Sequence, residues 1–327
     1  MAIPIDRRTL LAAAAAGLAL VPGGARAALP KSLAVVVPTG AGSTVETAVK
    51  LLSTGVAAAI GGRVLIDLPN PPDRLAEALT RVAAPGGTDL AILATDLLAQ
   101  ATWDATADVG SRPTLDRLTP IANLTPGYST ALFVAGASPI RTWKDFAAAA
   151  RAGPLTLATP NPESVHLRFL EAALALAFTD APADSRDALY AAVAGGDAAA
   201  GIANTPSLIA YAAANPGAVR PILTFGGQRN AVLKVPTLRE LTGNRRLATT
   251  NNVALLGAPD LDGDAATELY LAFARAARQP AVTAAARKIG FPLAVEGPDA
   301  VRVTIARNRK VVAAAIAAAQ AVAQKAP

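Results

Sequence analysis

Short apolar runs of strand length alternate along this chain with longer runs of helical periodicity. That alternation constrains the fold more than any single motif. A strand is predicted over 33–37 and a helix over 45–60, then a strand over 64–68, a helix over 74–84 and a strand over 90–93. A βαβαβ rhythm of this kind argues for a parallel sheet with crossover helices. Proline and glycine punctuate it at Pro69-Asn-Pro-Pro72 and Pro85-Gly-Gly87. A second series follows. It has strands over 130–134, 155–158, 198–203 and 219–223, with helices over 142–151, 164–177, 187–193 and 206–215 between them. The tail is helical (264–277, 280–288 and 298–325) apart from one strand over 252–257. At 327 residues the chain exceeds one ordinary domain, so two α/β lobes are expected. If the strands at 131–134 and 253–256 join the lobes, the tail returns to the first lobe and the two crossings make a hinge. Ligands of such folds sit at the carboxyl ends of the strands. The helix ending at 325 reads as a terminal helix packing on one lobe.

The front of the chain has a different character. Asp6-Arg7-Arg8-Thr9 opens a charged segment, an apolar run spans 10–21, and Ala25-Arg26-Ala27 is a small-x-small cleavage pattern. About a dozen apolar residues are too few to cross a bilayer core roughly 30 Å thick as a helix. Residues 1–27 therefore read as an export signal. Its Arg7-Arg8 resembles a twin-arginine signal, with a general secretory signal carrying two basic residues as the alternative. The mature chain, from about Ala28, is expected in the periplasm.

Composition removes whole classes of chemistry. The chain has no cysteine, which excludes disulfides, thiolate catalysis and cysteine-based zinc sites. A lone histidine, His166, excludes a multi-histidine metal site. The formal charge is +6; residues 1–27 hold three arginines and one aspartate, so the remainder carries +4. The positive residues are scattered apart from Arg245-Arg246 and the 302–310 stretch, without interleaved aromatics, so no nucleic-acid partner is expected.

The loop most suited to holding a ligand is Leu33-Ala-Val-Val-Val-Pro-Thr-Gly-Ala-Gly-Ser-Thr-Val-Glu46, a buried strand, a small-residue turn and a helix start. First-turn N–H groups of a helix lack intrahelical partners and point outward, a natural seat for an anion. Thr39, Gly40, Gly42, Ser43 and Thr44 form a short nest of donors suited to a carboxylate or phosphate. A plain strand-to-helix turn capped by Ser43 or Thr44 is the alternative. Gly40-x-Gly42 lacks the third glycine of a dinucleotide fingerprint and the Gly-Lys-Ser/Thr of a phosphate loop, so no nucleotide cofactor is expected. Thr159-Pro-Asn-Pro-Glu-Ser-Val-His166 is the equivalent turn in the second series, with Ser164 as cap and His166 in the first helical turn. His166 is either a ligand contact or a satisfied core histidine. A hydrolytic triad would need it as base, yet no Gly-x-Ser-x-Gly elbow is present and Ser164 diverges from it on the same turn. Asp67, Glu163, Asp197 and Asp260 show no useful pairing. No catalytic residue is assigned.

Taken in order, these segments resemble the substrate-binding receptors of tripartite tricarboxylate transporters, the Bug or TctC-like proteins. The stretch 37–46 aligns without a gap with that family's Val-Pro-Phe-Pro-Pro-Gly-Gly-Ala-Thr-Asp. Ala83-Ala-Pro-Gly-Gly-Thr-Asp-Leu-Ala-Ile-Leu93 is similar to its Ala-Pro-Asp-Gly-Tyr-Thr-Leu, Asp116-Arg-Leu-Thr-Pro-Ile121 to Asp-Phe-Ala-Pro-Val, and Trp143-Lys-Asp-Phe146 to the start of its Ser-Val-Lys-Glu-Leu helix. Gly195-Gly-Asp197 and Asn204-Thr-Pro-Ser207 are similar to Gly-Gly-Gln and Asp-Asn-Leu-Pro-Ser, and Val235-Pro-Thr-Leu-Arg-Glu240 to Val-Pro-Thr-Val-Ala-Glu. The likeness covers nearly all of the chain after the leader.

The resemblance implies a type II periplasmic binding protein: two α/β lobes joined by two crossing segments, with a ligand cleft between them. The first lobe would hold residues 28–130 and 252–327, the second 131–251. It implies a receptor and not an enzyme, closing over a small carboxylated solute and delivering it to the membrane components of a tripartite transporter. By position, the ligand-binding residues would be Thr39, Gly40, Gly42, Ser43, Thr44, Glu46, Asn161, Ser164, His166 and Asn204. The chain departs from the family pattern at Glu46 (Asp in the family), at Ala203 (Asp), at 69–74, and at Ala181-Pro-Ala-Asp-Ser-Arg-Asp187, which replaces Val-Pro-Tyr-Lys-Gly. Arg74 and Arg186 are loop cations that could meet a second carboxylate. Other classes open to the same residues are a periplasmic sensory protein docking on a membrane kinase and a small secreted hydrolase.

Overall fold

A computed structural model describes residues 29–70, 73–95, 97–98, 101, 115–160, 164–289 and 291–323. The expected export signal lies outside them. Ten strands form two five-stranded sheets. The first contains β1 (Ser32–Val36), β2 (Arg63–Asp67), β3 (Leu90–Ala94), β4 (Thr119–Asn123) and β10 (Val253–Gly257), in the order β2-β1-β3-β10-β4. The second contains β5 (Thr130–Ala135), β6 (Thr156–Thr159), β7 (Thr179–Pro182), β8 (Ala200–Asn204) and β9 (Val219–Thr224), in the order β7-β6-β8-β5-β9.

Ten helices are described. They are α1 (Thr44–Ile60), α2 (Arg74–Val82), α3 (Trp143–Ala152), α4 (Val165–Leu174), α5 (Arg186–Gly195), α6 (Thr205–Ala214), α7 (Leu238–Thr242), α8 (Gly263–Ala277), α9 (Pro280–Lys288) and α10 (Pro298–Ala323). Each sheet has apolar side chains on both faces, because successive residues of a strand point to opposite sides. In β5, Leu132 and Val134 join Phe146 and Phe169 on one face, and Ala131 and Phe133 join Tyr190 and Val193 on the other. In the first sheet, Leu33 and Val35 pack with Val49, Leu52 and Phe273, while Ala91 and Leu93 pack with Leu79 and Val82. Each lobe is thus a sheet between two helical layers.

The parallel sheet expected from the βαβαβ rhythm is only partly realised. β1, β2 and β3 are parallel, but β10 runs antiparallel to both β3 and β4. Likewise β5 is antiparallel to β8 and β9. The reversal follows from the chain path: each strand that enters a sheet after the chain has crossed from the other one arrives in the opposite direction.

The crossings themselves lie just outside the strands expected to form them. β5 belongs to the second sheet and β10 to the first, and the chain passes between sheets at 124–129 and 248–252. There Tyr128 and Asn251 form an antiparallel bridge, with N–H to O distances of 3.0 and 2.7 Å. The Asn251 side-chain amide donates to Thr130 Oγ1 at 2.6 Å and to Asn204 Oδ1 at 2.8 Å. Asn252 donates its side-chain N–H to the Thr125 carbonyl at 3.2 Å, and its backbone N–H to Thr95 Oγ1 at 2.8 Å.

The last helix also differs from expectation. α10 packs on both lobes: Val301 and Ile305 enter the first lobe's core, and Val311 packs against the second lobe's. Among the described residues, no helix is long and apolar enough to cross a membrane.

Candidate functional site

The turn from β1 into α1 is built by its own side chains. Ser43 caps the helix, its Oγ accepting the Glu46 N–H at 3.1 Å, and Thr39 Oγ1 lies 2.6 Å from the same hydroxyl. Gly42 has φ +76, a left-handed conformation costly for a residue with a Cβ. Its N–H donates to Glu46 Oε2 at 2.6 Å, and the other Glu46 oxygen pairs with Lys50. These bonds consume the donors of Gly42 and Ser43 and lock the turn. Thr44 and Val45, the first two helical residues, have backbone N–H groups with no acceptor among the described residues, as expected for a first turn. Thr44 Oγ1 is buried and has no hydrogen-bond partner.

The second lobe meets this turn directly. Ala41 and Ser185 form a parallel bridge, and the Arg186 N–H donates to the Ala41 carbonyl at 3.3 Å. Arg74 of the first lobe donates to the Asp184 carbonyl at 3.2 Å. A Cβ on Gly40 would stand 2.4 Å from that same Asp184 oxygen, so the approach requires glycine. Between the lobes lies a partly open cavity of about 60 Å³. Its first-lobe wall comes from Thr39, Gly40, Ser43, Thr44, Val45 and Ala94. Its second-lobe wall includes Pro160, Ser185, Arg186, Tyr190, Asn204 and Ser207. Tyr190 and Ser207 share a hydrogen bond of 3.0 Å, and Tyr190 stacks on Tyr211 with ring centroids 3.9 Å apart. Burial raises the Tyr190 phenol above its ordinary pKa, which the Ser207 bond only partly offsets, so it remains a neutral hydroxyl.

Five of the expected site residues, Thr39, Gly40, Ser43, Thr44 and Asn204, come together on this cavity although they derive from loops far apart in sequence. Gly42 lines a second cavity of about 50 Å³, which shares Thr44, Arg186 and Ser207 with the main one. Asn161 lies outside the described residues. The other three do not line either cavity. Glu46 is turned back onto Gly42 and Lys50 as an internal brace. Ser164 is buried at the start of α4. His166 is fully buried in the second lobe's core, edge-on to Phe225 at 4.9 Å and to Phe169 at 6.4 Å. Its helical position turns it inward among aromatic rings, off the cavity wall formed by the described residues. Among the described residues no cluster of metal-ligating side chains is present.

Tyr190, Ser207 and Arg186 were not among the expected ligand residues. The signal available for them was weak: Ser207 sits one turn into a helix opened by Asn204, and Arg186 was visible only as a loop cation. What places them is the folding of 183–190 across the cleft onto 39–44.

Comparison with known proteins agrees with this architecture. The sequence is 28% identical over 283 residues to the UPF0065 protein in gbd 5'region of Cupriavidus necator, covering 82% of each chain. MatC from Rhodopseudomonas palustris, solved with bound malate, superposes with a TM-score of 0.73 at 21% identity, over 86% of this chain and 98% of that one. The periplasmic binding protein BugD superposes with a TM-score of 0.76 at 14% identity, over 89% and 98%. These likenesses establish the two-lobe binding-protein fold. The family profile of tripartite tricarboxylate transporter receptors matches residues 50–300, which is most of the sequence. This chain therefore belongs to the tripartite tricarboxylate transporter receptor family.

Proposed function

We propose that this receptor is exported through residues 1–27, captures a small carboxylated solute between its lobes, and hands it to the membrane components of its transporter. The lobes would comprise 28–130 with 252–327, and 131–251, turning about the crossings at 124–129 and 248–252. The observation that carries this reading is the cavity itself. It opens between the lobes, and its wall includes Thr44 and Val45, whose N–H groups have no acceptor among the described residues. A helix N-terminus with free donors favours an anion. The α6 N-terminus faces the same space through Ser207, with the cap residue Asn204 beside it. Thr39, Gly40, Ser43, Thr44 and Asn204 are proposed as ligand contacts, joined by Arg186 and Ser207. A ligand touching both walls binds the closed arrangement better than an open one, and that difference drives closure.

Melting temperature measured against mono-, di- and tricarboxylates, aromatic acids and amino acids tests the proposal. A ligand with a Kd near about 1 μM, added at about 1 mM, stabilises by roughly 4 kcal/mol. At roughly 2 °C per kcal/mol, the shift is on the order of 8 °C. A flat response across all the acids would defeat the carboxylate reading.

A further inference from the structure

We infer that the cleft selects a ligand with one anionic head and an uncharged, largely apolar body, taking a monocarboxylate in preference to the dicarboxylate of the same length. This names the ligand class of the proposed receptor site and rests on that reading.

The charge inventory of the cleft is short. Among the described residues lining the main cavity and its smaller neighbour, Arg186 alone carries a charge. Arg186, Thr44 and Ser207 line both cavities, so these three meet where the two spaces join. The Arg186 guanidinium lies about 3.5 Å from where a Gly42 Cβ would stand, over the turn that opens α1. Its Nε contacts Asp187 Oδ1 at 3.1 Å, but that carboxylate's side chain is 80% exposed, so water screens the pair and leaves the guanidinium open to a better partner. The same turn holds the N–H groups of Thr44 and Val45 and the buried Thr44 hydroxyl, none with a partner among the described residues. The guanidinium and the start of α1 therefore border the same space, where one carboxylate would meet both.

Among the described residues the remainder of the cavity wall offers no second counter-charge, and nearby Arg74 is engaged by the Pro69 and Asp184 carbonyls. Val45, Ala94, Pro160, Ala183, Leu189 and Ala203 present aliphatic surface, and the polar groups among them are neutral hydroxyls and an amide. The Asn204 amide oxygen is already engaged by Asn251 and Thr130. A second carboxylate placed there would lose its water without gaining a cation, a costly arrangement. An apolar body would gain from the same surface.

Calorimetry on the purified protein with three matched pairs tests this: butanoate against succinate, hexanoate against adipate, and 4-methylbenzoate against terephthalate. In the pair that binds best, the monoacid is expected to bind at least about tenfold more tightly than the diacid. Arg186→Ala should weaken that monoacid about tenfold to a hundredfold. Arg186→Lys should recover part of the loss, and Thr44→Val should cost about tenfold or less. Unchanged melting temperatures of the free variants would separate lost contact from lost fold. If the diacid binds as tightly as the monoacid, or Arg186→Ala leaves the affinity intact, the single-anion inference falls and the receptor reading stands. If no acid of either kind binds, both fall together.

Discussion

Glu46 and Thr44 stand two residues apart at the start of α1, and the fold uses them in opposite ways. Glu46 spends its carboxylate on the Gly42 N–H and on Lys50, shaping the turn from within. Thr44 keeps a buried hydroxyl without a partner at the cavity wall. Side-chain type alone would have ranked them the other way, since carboxylates are the commoner functional groups. His166 teaches the same lesson. As the single histidine it invites a chemical role, yet it is enclosed by Phe169 and Phe225. Replacing it with alanine opens a cavity in the second lobe's core. His166→Ala is expected to lower unfolding stability by about 2 kcal/mol or more. It should leave ligand affinity within about twofold, because its ring lies off the cavity wall. Denaturant unfolding and calorimetry on one preparation check this; a large affinity loss at unchanged stability would return His166 to the site.

At the scale of elements, helix starts carry most of the local information. Ser43, Thr142, Ser185 and Thr237 each accept a first-turn N–H, and Thr142 and Thr237 complete reciprocal capping boxes with Asp145 and Glu240. Such caps are legible in sequence because donor and acceptor are three residues apart. In α3 the Asp145 carboxylate accepts the N–H groups of Arg141 and Thr142, each at 3.0 Å. Those bonds, the one from Arg141 foremost, hold its pKa below the ordinary value of 3.8. A carboxylate depressed in the folded state stabilises above its unfolded pKa, and that contribution fades as pH falls through the folded value. Asp145→Ala should therefore melt below the parent protein at pH 7. The gap should narrow as pH falls below about 4. Melting curves from pH 7 to 2.5 decide it, and a gap that stays constant would remove the linkage. The strands that the sequence hid, β4 and β7, are both sheet edges. Pro120 and Pro182 interrupt them, and an edge tolerates proline where a central strand does not.

Over the whole molecule, the lobes touch at the front through backbone and are strapped at the back by α10. The front contact depends on Gly40: a side chain there would meet the Asp184 carbonyl, which is main chain and cannot swing aside. Gly40→Val is expected to hold the lobes apart while leaving each lobe's core intact. Ligand affinity should then fall about tenfold or more, since the binding-competent closed state is taxed before the ligand arrives. Small-angle scattering should show a larger radius of gyration in the variant with ligand than in the parent with ligand. Equal radii and equal affinities would show that the Ala41–Ser185 bridge is not needed for closure. The network from Asn204 through Asn251 to Tyr128 joins the cavity wall to both crossings, so the proposed ligand contacts and the proposed hinge share hydrogen bonds.

The sequence by itself determined most of the strands and helices, though not β4, β7 or α7, together with the turn at 39–46 and the division into two α/β series. Those features depend on hydrophobic period and on bonds between residues a few positions apart, and the chain states them locally. The tertiary structure alone decided that β5 and β10 run antiparallel to their neighbours, that α10 spans both lobes, and that Arg186 comes to rest against Gly42. It also decided that His166 faces inward while Thr44 faces the cleft. These outcomes join residues distant in sequence or turn on which face of a helix the rest of the molecule covers, and no local pattern encodes either.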